Sequence, residues 1–282
     1  MMYLRPSMVE EALAALAEGG PTTILAGGTD YYPARVGRPL TEDILDITAI
    51  AALRGIGERD GALRIGAAVR WTEIAEAALP PSLRCLQLAA REIGGRQIQN
   101  AGTLAGNLCN ASPAADGVPC LLALDAEVEL ASARGTRRLP VAEFVRGNRR
   151  TARRPDELMT AIIVPRCAEA ARSTFLKLGA RRYLVISIVM VAALIEAAPD
   201  GAIAAARIAV GACSAAAQRL PLLEAVLRGR RLASGIGCLV AAEHLGELAP
   251  IDDVRGTAAY RREAARRLVA RALDELAAEA AA

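Results

Sequence analysis

The chain contains a single histidine, His244, and a single lysine, Lys177, in 282 residues. One histidine cannot build a two- or three-histidine metal site, and a Ser-His-Asp triad would have to use that residue. Aromatic residues are only 3%, with one tryptophan, Trp71, which leaves no stacking platform for single-stranded nucleic acid. The net charge of +3 is spread along the chain and forms no electrostatic footprint for DNA or RNA. The six cysteines, at 85, 109, 120, 167, 213 and 238, include no CxxC pair, so neither a zinc ribbon nor a ferredoxin-type cluster is encoded locally. Free, mostly buried thiols in a reducing compartment are the expectation. The longest apolar stretch, Leu184–Ile195, is too short to span a bilayer and is broken by Ser187. The first residues show no basic start followed by an apolar block, so no signal peptide is expected, and the protein reads as cytoplasmic.

Other templates are missing as well. There is no GxxxxGK[ST] phosphate loop and no GxSxG elbow. Gly55–Gly61 reads GxGxxxG, one residue too long for a dinucleotide fingerprint. What is present is an apolar fraction of 53% against 23% charge, a globular balance in a chain whose length suits one large domain or two to three small ones.

Residues 7–19 read as a helix, with Ser7 as N-cap, Glu10 as its capping-box partner and Gly19-Gly20 as the stop. Thr22–Ala26 and Ile44–Ile47 read as short strands. Leu63–Ala67 reads as a strand after a turn at Asp60-Gly61, and Trp71–Ala78 and Ser82–Ile93 as helices. Gln97–Asn110 reads as turns with exposed backbone amides. Pro113–Leu124 reads as a helix, and Ala126–Ala131 and Glu157–Val164 as strands. Beyond Cys167 come long apolar runs at 173–179, 185–198 and 203–211, with a hairpin signal at Pro199-Asp200-Gly201. From Leu220 onward the composition is helical, including 233–245 and a long helix over 257–281.

Two segments can carry chemistry. In Ile24-Leu25-Ala26-Gly27-Gly28-Thr29-Asp30-Tyr31 a strand delivers two glycines, then a hydroxyl and a carboxylate; glycines let backbone amides approach an anion closely. On its own such a bend is more often a plain turn. Residues 100–116 pack three asparagines, two glycines and small hydroxyls into a donor-rich stretch suited to a diphosphate. Asp116, at the start of the next helix, reads equally well as a capping carboxylate. All basic residues but Lys177 are arginine, so that lysine is either chance or a place where a guanidinium does not fit.

Taken together, AGGTD at 26–30, QIQNAGTLAGNLCNASPAAD at 97–116 and ALDAEVEL at 123–130 resemble the FAD-binding medium subunit of the molybdenum hydroxylases, the xanthine dehydrogenase and carbon monoxide dehydrogenase type. The similarity continues through 153–165, 175–187 and 250–262 in the family's order.

The resemblance implies an α+β fold. It has a two-subdomain FAD-binding domain of the vanillyl-alcohol-oxidase (PCMH) type over 1–166, divided into about 1–52 and 53–166. A C-terminal domain of antiparallel strands and helices follows over 167–282. It implies that Ile24–Tyr31 and Thr103, Leu104, Ala105, Gly106 and Asn107 wrap the FAD diphosphate, with Ala105 replacing a usual glycine. Asp116, Met159, Ile93 and Lys177 match positions near the cofactor, and Tyr183 is a candidate to cover the flavin ring. Lys177→Ala is expected to weaken FAD binding or alter its reduction and spare the fold.

No catalytic side chain and no metal ligand is implied in this chain. Two 2Fe–2S clusters would sit in a small partner subunit and molybdopterin in a large one, as a heterotrimer or its dimer. The cysteine-rich insertion of the 4-hydroxybenzoyl-CoA reductase branch is missing. A free-standing flavin oxidase or reductase is the alternative, and a non-redox nucleotide-binding module a third.

Overall fold

The computed structural model describes residues 2–37, 39–182 and 184–281. Three larger sheets follow one another along the chain, with a two-stranded ribbon beside the second. The first unit contains β1 (Tyr3–Leu4), α1 (Val9–Ala17), β2 (Thr22–Leu25) and β3 (Asp43–Asp46). Its strands run parallel in the order β1-β3-β2, joined by crossovers rather than tight hairpins. The cap of α1 differs from the expectation. The helix begins at Val9, so its third residue is Glu11, and that carboxylate, not Glu10, accepts from the Ser7 and Met8 N–H groups.

The second unit opens with a hairpin of β4 (Ile56–Arg59) and β5 (Ala62–Gly66). Asp60 and Gly61 both take positive φ, 53° and 76°, as a two-residue hairpin turn requires. The GxGxxxG run is therefore mostly strand. Helices α2 (Trp71–Glu76), α3 (Arg84–Glu92), α4 (Arg96–Ala101), α5 (Leu104–Asn110) and α6 (Gly117–Ala123) follow. Then come β6 (Glu127–Ser132), β7 (Gly135–Pro140), α7 (Val141–Phe144), β8 (Val145–Gly147), β9 (Arg150–Thr151) and β10 (Leu158–Pro165). The five-stranded sheet is antiparallel in the order β4-β5-β10-β6-β7.

The stretch 97–110 is helical rather than a run of turns. Gly102 separates α4 from α5, and Thr103 caps α5 by accepting the Gly106 N–H at 3.0 Å. Asparagine, glycine and threonine composition pointed to turns because the same short polar side chains serve as caps.

The third sheet holds β11 (Arg172–Leu178), β12 (Val189–Ala197), β13 (Ile203–Gly211) and β14 (Gln218–Arg219), antiparallel in that order. It is covered on both faces. Met190, Ala192 and Leu194 of β12 join the core shared with α3 and α6; Val189, Val191, Ala193 and Ile195 face the core closed by α8 (Pro221–Leu227) and α9 (Ala258–Ala281). Alternate side chains leave opposite faces of a strand, so double burial is what makes this run continuously apolar. Residues 233–245 form two 3₁₀ turns instead of a helix. Gly235 turns the chain at φ 83°, and Gly237 passes so near α9 that a Cβ there would lie 2.5 Å from the Ala270 carbonyl oxygen. His244 acts as a local cap, its Nδ1 accepting the Ala241 N–H at 3.1 Å. Among the described residues no helix is long and apolar enough to cross a membrane.

Candidate functional site

The parallel strand β2 ends in the bend 26–31, and this bend meets the junction of α4 and α5. The approach is close. A Cβ on Gly27 would lie 2.0 Å from the Ala101 carbonyl oxygen and 2.7 Å from the Gly102 Cα, so only glycine lets the two backbones touch. Gly28 takes φ 67°, which favours glycine, and a Cβ there would meet the Tyr32 ring at 2.7 Å. A side chain at Gly28 would thus strain the bend and push Tyr32; the space it enters first is the ring's, not the cleft's. On the other side, Gly102 donates no side chain to the gap but anchors it, since the Trp71 N–H donates to its carbonyl at 3.1 Å.

Between the two bends lies a cleft of about 550 Å³, a volume typical of small-molecule and cofactor sites. Ile24, Leu25, Ala26, Gly27, Gly28, Thr29, Asp30 and Tyr31 line it from one side. Thr103, Ala105, Gly106 and Asn107 line it from the other, with Ile93 and Met159.

Three of the sequence-derived candidates lie elsewhere. Leu104 is fully buried in the core behind α5. Asp116 and Lys177 do not line the cleft but pair with each other: the Lys177 Nζ donates to Asp116 Oδ2 at 2.6 Å, and the Ser187 hydroxyl donates to Oδ1 at 2.6 Å. Burial pushes the Asp116 carboxyl up, with Lys177 and Ser187 pulling against it. Asp116 precedes α6 in helical conformation and makes no side-chain cap, so the capping reading of it does not hold. Tyr183 lies outside the described residues.

The polarity of the lining is specific. Asn107 Oδ1 accepts the Gly117 N–H at 3.1 Å, which leaves its amide N–H₂ as the end without an acceptor among the described residues. Thr29 adds a hydroxyl. Tyr31 and Arg35 form a separate rim: the guanidinium stacks 3.8 Å over the Tyr31 ring, and both residues donate to Glu42. Backbone N–H groups, with Tyr31 and Arg35, hold the Glu42 carboxyl down at about 2, so Arg35 is matched by a full negative charge.

Sequence reasoning missed Arg149 and Arg153, which line the cleft from the segment before β10, and Ile98 and Trp71, which also line it; Asn110, one of the three asparagines of 100–116, lines it too. No local signal marks those arginines in so arginine-rich a chain.

Two backbones in contact, the Thr29 hydroxyl, the Asn107 amide and apolar Ile93 and Met159 in one lining make a cradle for an elongated anionic ligand with an apolar part. The donor set and the glycine contacts fit an FAD diphosphate. The chain belongs to the flavin-subunit family of the molybdenum hydroxylases. Residues 1–167 match the FAD binding domain in molybdopterin dehydrogenase, and residues 174–276 match the CO dehydrogenase flavoprotein C-terminal domain. Its relatives are oxidoreductase subunits. It is 31% identical over 276 residues to the 6-hydroxypseudooxynicotine dehydrogenase complex subunit alpha of Paenarthrobacter nicotinovorans, covering 96% of this chain and 92% of that one. It is 37% identical over 194 residues, 66% of each chain, to the nicotinate dehydrogenase FAD-subunit of Eubacterium barkeri. Among solved structures, carbon monoxide dehydrogenase from Hydrogenophaga pseudoflava superposes with a TM-score of 0.90 at 28% identity, covering 99% of this chain and 98% of that chain.

Proposed function

We propose that this chain is the electron-transfer subunit of a molybdenum hydroxylase complex and holds FAD in the cleft between the 26–31 bend and the α4–α5 junction. The convergence of those two segments carries the reading. In it, the backbone of 27–30 and 103–107 binds the diphosphate, with Thr29, Thr103 and Asn107 as side-chain donors. Ile93 and Met159 offer apolar wall and keep water out of the site. Leu104, Asp116 and Lys177 act from behind: Leu104 seats α5 in the core, and the Asp116–Lys177 pair fixes the start of α6 against β11.

When bound, FAD takes up electrons singly or in pairs and so connects one-electron iron–sulfur carriers to a two-electron acceptor. The partners in this reading are a small subunit with two 2Fe–2S clusters and a large subunit whose molybdopterin centre hydroxylates the organic substrate. NAD, a quinone or oxygen receives the electrons. The chain then divides into an FAD-binding domain over 1–166, with subdomains about 1–52 and 53–166, and a C-terminal domain over 167–282; the three successive sheets support this division. All six cysteines are free thiols, which supports a reducing, cytoplasmic setting.

The test is to purify the chain together with the proteins encoded beside it. One FAD per chain and a stable assembly containing 2Fe–2S and molybdopterin subunits is the expected result. A flavin-bearing chain that turns over an organic substrate alone would favour a free-standing oxidase or reductase, and a colourless one would end the flavin reading.

A further inference from the structure

The cleft has a second group of donors, outside its glycine-bearing bends, whose two positive charges exceed the one carboxylate, Asp30, of the described lining. Arg149 and Arg153 line the cleft, and among the described residues neither forms an ion pair with a carboxylate. Both are held in place by neutral acceptors. The backbone of Arg149 takes φ 52° and its N–H donates to the Ala111 carbonyl at 2.8 Å, while its Nη1 donates to Asn110 Oδ1 at 2.6 Å. Arg153 uses one nitrogen, Nη1, on the carbonyls of Arg154, Pro155 and Glu157 at 3.0, 3.2 and 2.8 Å. Its Nε and Nη2 have no acceptor among the described residues. Most arginines of the chain that approach another charged group are matched, Arg35 by Glu42 among them.

The neighbouring amides point the same way. Asn107 and Asn110 are three residues apart on α5, one helical turn, and so share a face. Gly117 occupies the oxygen of the first and Arg149 the oxygen of the second. Each therefore has its N–H₂ group left without an acceptor among the described residues. Two amides and two guanidiniums thus line the same cleft as the glycine-bearing bends, with Asp30 the one carboxylate among its described lining residues. With two guanidiniums against the single Asp30 carboxylate, the lining keeps a net positive charge beside its free amide donors, and such a pocket selects an anion.

We propose that Asn110, Arg149 and Arg153 form a second anion-binding element of the cleft, which supplies the countercharge for the diphosphate of FAD and makes the site choose FAD over uncharged riboflavin. The inference rests on the flavin reading above. The backbone cradle contributes oriented dipoles but no net charge; the guanidiniums contribute the charge.

The experiment uses the full chain freed of flavin and titrated with FAD and with riboflavin at low and high salt. The variants are Arg149→Gln, Arg153→Gln and the double substitution, with Arg153→Lys as the charge-keeping control. Charge-assisted hydrogen bonds of this kind make the expected loss of FAD affinity about tenfold or more in the double variant. Its riboflavin affinity stays at the wild-type value, and the salt dependence of FAD binding flattens, because the screened charges are gone. Arg153→Lys is expected to keep part of the affinity. FAD affinity within twofold of wild type in the double variant overturns the proposal, as does an equal fall for FAD and riboflavin, which marks a structural role. Wild-type chain that binds no FAD overturns the flavin reading itself; wild-type binding with unaffected variants overturns only this inference.

Discussion

A methyl group at Gly27 has nowhere to go, since the Ala101 carbonyl oxygen already stands 2.0 Å from the Cβ position. Gly27→Ala must therefore part the two bends or distort one of them. Overpacking of this kind costs about 1–3 kcal/mol. Gly27→Ala is expected to lower FAD affinity roughly tenfold or more, read by flavin absorbance after dialysis. Gly57→Ala is the matched control, because nothing lies within 4 Å of its Cβ position; it should retain its flavin. Gly28 differs in kind. Its positive φ and the Tyr32 ring resist a side chain, so a large residue there acts on the rim before it acts on the ligand.

The elements around the cleft depend on a few side chains that bond their ends. Thr103 caps α5 through the Gly106 N–H. Thr103→Ala should cost about 1 kcal/mol of stability, visible as a lower melting temperature, and Thr103→Ser should keep most of it. The segment carrying Arg149 and Arg153 is tied down where it enters β10. There Glu157 receives the Arg137 guanidinium at 2.6 and 2.9 Å and the Arg154 N–H at 2.7 Å. Burial pushes the Glu157 carboxyl up, but the Arg137 fork and the Arg154 N–H outweigh it and hold the group below the usual glutamate value. A depressed folded-state pKa adds stability that is present above the unfolded value and is lost as pH falls through the folded one. Stability should therefore decline below about pH 4, and Glu157→Gln should flatten that part of the acid-denaturation profile while lowering stability at neutral pH.

At the level of the whole molecule, the sheet of β11–β14 is a shared wall. One face closes the core that includes α3 and α6, the other the core under α9. Asp116, Lys177 and Ser187 cross the boundary between the cleft-bearing part and this sheet, with both charged side chains only 6% exposed. Removing one member of such a pair leaves an uncompensated buried charge, which costs about 3–5 kcal/mol. Lys177→Met should show that loss in urea denaturation, and Asp116→Asn combined with Lys177→Met should recover most of it. The expectation that Lys177→Ala spares the fold is thus replaced by one in which the fold itself suffers. An unchanged urea midpoint for Lys177→Met would show that the pair adds no stability.

Local pattern was enough for much of this protein. Strand β2 running into a double glycine, the apolar stretch of β12 and the long helix α9 are all visible as short-range signals, because strand period, helix composition and turn chemistry act over a few residues. The order of the motifs along the chain was enough to place it in its family. Other features depended on packing. Asparagine and threonine between 97 and 110 read as turns until Thr103 was seen to cap a helix. Asp116 and Lys177, 61 positions apart, match positions near the cofactor in the family's order of motifs, but only the fold shows that burial joins them to each other. Arg149 and Arg153 were indistinguishable from the other arginines. Their meaning arises only where the chain returns beside α5, since an unbalanced charge is defined by its neighbours in space and not by its neighbours in sequence.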